Sequence, residues 1–151
     1  MLGKIKFYFY ILLILSSCTI GKYDQISNIG NISVGKKFPS ITAVSSISET
    51  VFDSKKYIGE FFIYFIAQKL PLAGYDQECG KISKSILLQK GHLFCFSDLK
   101  VASIIGIPIT ADNKISVSVL IITDKNNNIL FIFKNVRYND IKNILNKYLF
   151  K

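Results

Sequence analysis

An unbroken apolar run, FFIYFI at 61–66, stands out from the mixture of apolar and polar residues along the chain. A run of aromatic and β-branched residues of this kind is typical of a central strand that is covered on both faces. Shorter apolar runs at 92–96, 117–123 and 129–133 predict three further strands. The polar residues 124–128 tolerate left-handed backbone and predict a hairpin loop, so the last two strands should be antiparallel.

Apolar residues at helical spacing lie between the first two of these strands. Cys79, Ile82 and Ile86 fall at positions i, i+3 and i+7, behind Asp76 as the predicted helix cap. The helix should end near Gly91, where a strand begins. Cys79 is therefore expected in the first turn of a helix that connects two strands.

Two more helices are predicted further along the chain. Residues 98–105 form a short helical stretch before the break at Gly106-Ile107-Pro108. A C-terminal helix, with Asn139 as its predicted cap, is indicated by apolar residues at i, i+3, i+4, i+7 and i+8, namely Ile141, Ile144, Leu145, Tyr148 and Leu149. Upstream, 41–44 and 50–52 predict two short strands around a Ser-rich turn. From the first long strand onward, the order β-α-β-α-β-β-α predicts a mixed α/β sheet between helices.

The N-terminus has the organisation of an export signal. Lys4 and Lys6 precede an apolar run at 7–15, and two small residues and a cysteine follow. The sequence Leu15-Ser16-Ser17-Cys18 resembles the bacterial lipobox, in which the signal is cleaved before a cysteine that then carries lipid. This resemblance implies a signal peptide at 1–17 and an exported protein, anchored through lipid on Cys18 to the periplasmic or cell-surface side of a bacterial membrane. The alternative is an uncleaved N-terminal anchor with an incidental cysteine.

Cleavage before the cysteine leaves 134 residues (151 minus 17), enough for one domain with a substantial core. Residues 18–34 are rich in Asn, Ser, Gly and Ile without a sustained period, and this composition predicts a flexible tether. The folded domain is expected over residues 35–151. No second domain is predicted.

The chain is basic, but its charge distribution does not indicate a nucleic-acid partner. The formal net charge is +9, from 19 basic and 10 acidic residues, and it is +7 without the two lysines of the signal. Such a surplus is compatible with an anionic membrane surface, but the abundance of Lys, Asn and Ile favours compositional bias over a charged partner as its explanation. The basic residues are scattered lysines with a single arginine and no basic run, so no nucleic-acid partner is predicted. Three cysteines and one histidine give no recognisable metal site, and no cofactor is predicted.

Four stretches resemble thioredoxin-fold redoxins and peroxiredoxins. Residues 35–39, GKKFP, resemble their opening G-x-x-x-P, and FFIYFIA resembles the strand before their redox cysteine. Residues 97–107 resemble their S-D-x-x-x-A-x-x-x-G-I/V helix, and VLIITDKNNNILFIF resembles their F-x-I-D-x-x-G-x-I hairpin. The resemblance extends over residues 35–150 and implies a thioredoxin-like mixed sheet of about four to five strands flanked by helices.

Two cysteines remain as a candidate redox pair if Cys18 carries lipid. A right-handed β-α-β unit places the helix start with Cys79 at the sheet edge where the following strand ends with Cys95. A bridge between them is geometrically allowed, but it requires Cα atoms within about 7 Å. The helix N-terminus favours a thiolate at Cys79, whereas the neighbouring Asp76 and Glu78 oppose it.

The chain departs from the family at its usual catalytic positions. The C-x-x-C of thioredoxins is replaced by Asp76-Gln-Glu-Cys79, and Asp76 also stands where peroxiredoxins have Thr or Ser. The peroxiredoxin arginine is expected before the VLIITD strand, at Ser118, whereas the arginine of this chain is Arg137. Pro108 lies too far upstream of the same strand to match the thioredoxin cis-proline.

Three hypotheses follow. In the first, a lipid-anchored thiol oxidoreductase or peroxidase uses Cys79 as nucleophile and Cys95 as resolving thiol, with a redox partner protein. In the second, a non-catalytic thioredoxin-fold lipoprotein binds a partner or supports the envelope, and Cys79 is a core residue or half of a structural disulfide. In the third, a surface lipoprotein of another α/β fold contacts host or envelope partners.

Overall fold

The computed structural model describes residues 22–44, 51–53, 56–68, 82–86 and 88–150. The signal peptide at 1–17, the lipidation site Cys18, the predicted cap Asp76 and the candidate nucleophile Cys79 lie outside the described residues. The described part is a mixed α/β fold built around one five-stranded sheet. The α/β class predicted from the apolar pattern is therefore confirmed.

The elements follow one another in the order expected from the first long strand onward. The strands are β1 (Asp24–Ile26), β2 (Asn28–Ile29), β3 (Ile32–Ser33), β4 (Thr42–Val44), β5 (Val51–Asp53), β6 (Phe61–Ile66), β7 (Gly91–Phe96), β8 (Val119–Asp124) and β9 (Ile129–Lys134). The helices are α1 (residues 82–86), α2 (Leu99–Ile105) and α3 (Ile141–Tyr148). The main sheet has the strand order β1-β9-β8-β6-β7, in which β6 and β7 are parallel and the other neighbours are antiparallel.

The backbone register aligns one residue of each strand along each edge of the main sheet. At one edge the row consists of Phe96, Ile66, Val119, Lys134 and Asp24. This row is called the cleft edge below. The opposite edge carries the loop between β8 and β9 and is called the hairpin edge. The strands β6, β7 and β9 end at the cleft edge, and β1 and β8 begin there.

Each face of the main sheet is covered by helix and loop residues. One face packs against α2 and against the segment containing Phe38 and Ile41, and this is the α2 face. The other face packs against α3 and against Ile86 of α1, and this is the α3 face. Because neighbouring side chains of β6 point to opposite faces, both sets must be apolar, which explains the unbroken run FFIYFI.

The predicted tether is wrong for residues 24–33. Strand β1 pairs antiparallel with β9, and β2 pairs with β3. The Tyr23 ring contacts the Phe133 ring edge to face at 5.6 Å, Asn135 Nδ2 donates to Asp24 Oδ2 at 3.3 Å, and Ile32 is buried. These strands have two or three residues each, too few to show a period in the sequence, and their pairing depends on distant partners.

A second hairpin outside the main sheet agrees with the prediction. Strands were expected at 41–44 and 50–52, and β4 and β5 pair antiparallel at positions shifted by at most one residue. The helix before β7 ends earlier than predicted, because a turn occupies residues 88–90 and β7 starts at Gly91.

The ends of α2 and α3 show which residues cap these helices. Asp98 accepts a hydrogen bond from the Lys100 N–H at 2.7 Å, and Gly106 ends α2 with a left-handed φ of 81°. The prediction of Asn139 as the cap of α3 is wrong. Residues Tyr138–Asp140 form a 3-10 turn, and Asp140 stands at the N-cap position instead. The extra turn moves the helix start by one residue.

The β8–β9 hairpin is fixed by polar side chains. Asp124 Oδ1 accepts hydrogen bonds from the N–H groups of Asn126 and Asn128, both at 2.8 Å. The hydrogen bond from the Asn128 side chain holds the pKa of Asp124 below its usual range. Asn127 has a φ of 61°, and its side-chain oxygen accepts a hydrogen bond from the Tyr64 hydroxyl at 3.0 Å. The centre of β6 is thereby connected to the hairpin edge.

Replacement of Tyr64 by Phe tests this connection. The hydroxyl is buried, which raises the pKa of Tyr64, and its loss leaves Asn127 without that donor. We expect the free energy of unfolding in urea to fall by about 1–2 kcal/mol. Tyr23→Phe is the matched control, since its ring contact with Phe133 is retained, and it should change stability by less than about 0.5 kcal/mol. Equal losses in the two variants would contradict the assigned role.

Truncation tests the N-terminal strands. A chain that begins at Gly35, where the sequence predicted the domain to start, lacks β1, β2, β3 and the buried Ile32. We expect it to be less stable than a chain beginning at Lys22 by about 2–5 kcal/mol, because apolar surface on β9 and α2 becomes exposed. Urea unfolding of both chains measures the difference. Identical midpoints and slopes would restore the tether interpretation.

Candidate functional site

A cleft of about 310 Å³ opens at the cleft edge of the sheet. It lies where β6 ends, where β8 begins and where the chain leaves β9. Its apolar lining consists of Phe65, Ala67, Ile115 and Val136, and its polar lining consists of Gln68, Ser116, Ser118, Arg137 and Tyr138. The arrangement combines an apolar surface with a few polar groups, as ligand-binding sites commonly do.

Hydrogen bonds of two serines shape the wall of the cleft. The Ser118 hydroxyl donates to the Val136 carbonyl at 2.6 Å, and the Asn135 N–H donates to the Ser118 carbonyl at 2.9 Å. The Ser116 hydroxyl donates to the Pro108 carbonyl at 2.7 Å. Both hydroxyl protons therefore hold the backbone in place, and the hydroxyl oxygens keep lone pairs with which to accept hydrogen bonds.

Arg137 is oriented by Asp140. Arg137 Nε lies 3.3 Å from Asp140 Oδ2 and Nη2 lies 3.4 Å from Oδ1, while the Arg137 N–H donates to Oδ2 at 2.9 Å. The arginine side chain is 58% exposed and the aspartate side chain 13%. A guanidinium has five N–H donors, so this contact leaves donors for a ligand in the cleft.

The structure brings together two residues that the sequence analysis separated. Ser118 stands at the position expected for the peroxiredoxin arginine, and Arg137 lies 19 residues further along the chain (137 minus 118), yet both line the cleft. The hydrogen bond from Asn135 to Ser118 holds the start of β8 beside the end of β9. Sequence spacing did not reveal this proximity, because it depends on the register of a hairpin with an irregularity between Ile122 and Thr123.

Cys95 lies one residue inside the cleft edge. It pairs in register with Phe65, which lines the cleft, but its own side chain is 0% exposed and belongs to the core of the α3 face. The side chain is engaged with a partner rather than free. A resolving thiol at this position would have no direct contact with solvent.

The described part of α1 connects Cys95 with the predicted position of Cys79. Ile86 is 1% exposed and shares a buried cluster with Cys95, and Ile82 packs against the same cluster. The sequence period places Cys79 three residues before Ile82 on the same helical face. Cys79 itself lies outside the described residues, so its pairing with Cys95 stays a prediction.

His92 lies on the edge strand β7, away from the cleft. Its Nε2 donates to the Ile58 carbonyl at 2.9 Å, and its ring stacks at centroid distances of 5.8 Å from Phe62 and 5.9 Å from Phe94. Both phenylalanines belong to the α2 face, whereas Cys95 belongs to the α3 face. His92 is therefore an edge-strand residue whose ring is held by a backbone carbonyl and two phenylalanine rings.

The described part of the chain has neither a metal-binding cluster nor a membrane-spanning helix. Within residues 22–44, 51–53, 56–68, 82–86 and 88–150, no group of three or more His, Cys, Asp or Glu side chains is arranged to hold a metal ion. No helix in these same ranges is long and apolar enough to cross a membrane.

Comparison with known proteins gives no assignment. The chain matches neither the models of known protein families nor any curated protein.

Two substitutions separate the roles of the Arg137–Asp140 pair. Asp140→Ala removes the carboxylate that accepts the Arg137 N–H at the start of α3, and we expect a loss of about 1 kcal/mol in urea unfolding. Arg137→Gln removes a mostly exposed charge and should cost less than about 0.5 kcal/mol. A larger loss of unfolding free energy for Arg137→Gln than for Asp140→Ala would show that the ion pair, and not the hydrogen bond from the Arg137 N–H, stabilises the start of α3.

Proposed function

We propose that this chain is a thioredoxin-like lipoprotein domain that is held at a bacterial membrane by lipid on Cys18 and binds a partner protein through the cleft. The strand order β7-β6-β8-β9 supports the fold, since it contains one parallel pair at β6 and β7 and antiparallel neighbours elsewhere. Helix α1 precedes β7, α2 follows it, and α3 follows β9. This is the arrangement that the family resemblance implies.

The complete burial of Cys95 is the observation that supports a binding role for the domain over a catalytic one. Its side chain is 0% exposed although the cleft opens one residue away, so Cys95 is not presented to a substrate. The guanidinium of Arg137 already contacts Asp140 rather than a thiol. A cleft with an apolar surface, two serine oxygens and partly available arginine donors is suited to holding a polypeptide segment.

In this proposal Cys79 and Cys95 form a structural disulfide beneath the cleft. The helical period directs Cys79 toward the buried cluster that contains Cys95, and Cys95 is not without a partner. An exported protein meets conditions that allow disulfides to form. A bridge that closes a loop of this length stabilises a domain by about 3 kcal/mol.

A thiol oxidoreductase is the second candidate, and the position of Arg137 favours it. Arg137 and Ser118 line one cleft, and Ser118 is the sequence position at which the family arginine is expected, so an arginine near this position supports the candidate. In this case the Cys79 thiolate attacks one sulfur of a substrate disulfide, so that the S–S bond breaks, a mixed disulfide forms and the other substrate sulfur leaves as a thiolate. With a peroxide it attacks one oxygen, so that the O–O bond breaks, a sulfenic acid forms and water or an alcohol leaves. Cys95 then attacks the Cys79 sulfur and displaces the second substrate thiol or, from the sulfenic acid, water, so the pair loses two electrons and becomes a disulfide that a partner protein must reduce.

The redox behaviour of the cysteine pair distinguishes the two candidates. The chain beginning at Lys22 is equilibrated in glutathione buffers, alkylated, and analysed by mass spectrometry, with Cys95→Ala as the control for a lone Cys79. For a structural bridge we expect a reduction potential below about −300 mV and slow reduction in the folded state. Reduction should lower the free energy of unfolding by about 3 kcal/mol.

A different outcome would favour the enzyme. A potential near those of thioredoxin and glutaredoxin, about −270 to −200 mV, together with rapid alkylation of the reduced pair, would contradict the structural bridge. If both thiols alkylate slowly in the reduced protein and form no bridge in the oxidised protein, the result contradicts both the structural disulfide and the catalytic Cys79–Cys95 pair. Cys95 would then be a buried core residue.

A further inference from the structure

The N-terminal strand determines where the chain enters the domain. Asp24 begins β1 opposite Lys134 in the row that defines the cleft edge. The Asn135 side chain donates to Asp24 at 3.3 Å, and the Tyr23 ring contacts Phe133 at 5.6 Å. These contacts hold the chain at the cleft edge, on the side of the sheet where β6 ends and the cleft opens.

The link between this entry point and the proposed lipid is short. Five peptide steps separate Cys18 from Tyr23. A fully extended chain spans at most about 3.6 Å per residue, so the two residues lie no more than about 18 Å apart. Strands of six residues, such as β6, are about 20 Å long, so the hairpin edge lies about that much further from the entry point. The link therefore keeps the entry point, which lies at the cleft edge, within about 18 Å of the proposed lipid.

The distance of the cleft from the entry point follows from the strand order. The cleft lies among the ends of β9, β8 and β6, which are the first, second and third strands beyond β1. Because neighbouring strands lie about 4.8 Å apart, the cleft begins about 5 Å from β1 and extends to about 14 Å. Its mouth therefore lies within about 30 Å of the proposed lipid on Cys18.

We infer that the cleft edge is the membrane-facing surface of the domain, so that the cleft is reached by partners held at the same membrane rather than by large soluble proteins. The inference rests on the proposed lipidation of Cys18. A folded domain of about 100 residues has a radius of gyration of about 13 Å, so it would fill most of the space between the cleft and the bilayer. A segment of a membrane-attached protein needs far less room.

Surface charge does not determine this orientation. Lysines stand at both ends of the sheet, with Lys22 and Lys134 at the cleft edge and Lys125 at the hairpin edge. Asp24 lies beside the first two. Attraction to anionic lipid is screened over a Debye length of about 8 Å at physiological salt, whereas a covalent link is not affected by salt. The orientation should therefore persist in neutral vesicles and at high ionic strength.

Energy transfer to lipid acceptors tests the orientation in the full, lipidated chain. The protein is purified from bacterial membranes and reconstituted in phosphatidylcholine vesicles that carry headgroup acceptors. A donor dye is attached at Gln68→Cys, which is exposed and lines the cleft, or at Lys125→Cys, which is exposed at the hairpin edge. The unsubstituted chain, treated with the same dye, measures labelling of the natural cysteines.

We expect at least twofold higher transfer efficiency from Gln68→Cys than from Lys125→Cys, unchanged in 0.5 M salt, which reduces the Debye length to about 4 Å. Insertion of 20 Gly and Ser residues after Ile20 is the matched control. This linker has an r.m.s. length of about 25 Å, so it should remove the difference between the two sites. Equal transfer from both sites at the natural length, or higher transfer from Lys125→Cys, would overturn the inference.

The mass of the N-terminal peptide shows whether Cys18 carries lipid. It therefore distinguishes a failure of the orientation from a failure of the proposed lipid anchor on which the orientation rests. A peptide that begins at a lipid-modified Cys18 supports the anchor, and equal transfer then overturns the orientation alone. A peptide without lipid overturns the anchor and the orientation together. The cysteine chemistry is measured by alkylation in the soluble chain and does not depend on either result.

Discussion

The hydrogen bonding of β6 on both sides is the constraint on which the rest of the structure depends. The strand pairs in parallel with β7 and antiparallel with β8, and the side chains from Phe62 to Ile66 are at most 4% exposed. A parallel neighbour cannot be connected by a tight turn, so the chain must cross over between β6 and β7 and supply cover for one face. The antiparallel neighbour then brings the hairpin and β9 to the other side.

The same pairing creates the cleft. Antiparallel β8 must begin where β6 ends, and β9 must end where β8 begins. The loops that enter β8 and leave β9 consequently meet at one edge, and Ser118 joins them through its bond to Val136. Cys95 comes to the same edge because β7 runs parallel to β6. The cleft and the buried cysteine are two results of one strand arrangement.

The sequence predicted those features that depend on local pattern. The four long strands, the short helix beginning near Asp98 and its end at Gly106 were foreseen, because apolar runs and helix-breaking residues act within a few positions. Strand β1 was not foreseen, since three residues carry no period and its partner β9 lies more than 100 residues away. The start of α3 was misplaced because a 3-10 turn precedes it.

The candidate site was only partly foreseen for a related reason. The sequence placed Cys95 near the end of its strand and near a sheet edge, which the register with Phe65 supports. It gave no indication that Arg137 would line the same cleft as Ser118, because that proximity depends on the register between two strands. Burial of Cys95 on the α3 face also required the packing of α1 and α3, which a strand pattern alone does not contain.

The central claim is that Cys95 is the buried half of a structural bridge beneath a binding cleft. Disulfide mapping of the protein purified from the bacterial envelope, alkylated under denaturing conditions without reductant and then digested, tests it most directly. The account predicts a linked pair of peptides that contain Cys79 and Cys95, with no alkyl group on either cysteine. Alkylation of both cysteines in the unreduced protein would contradict it.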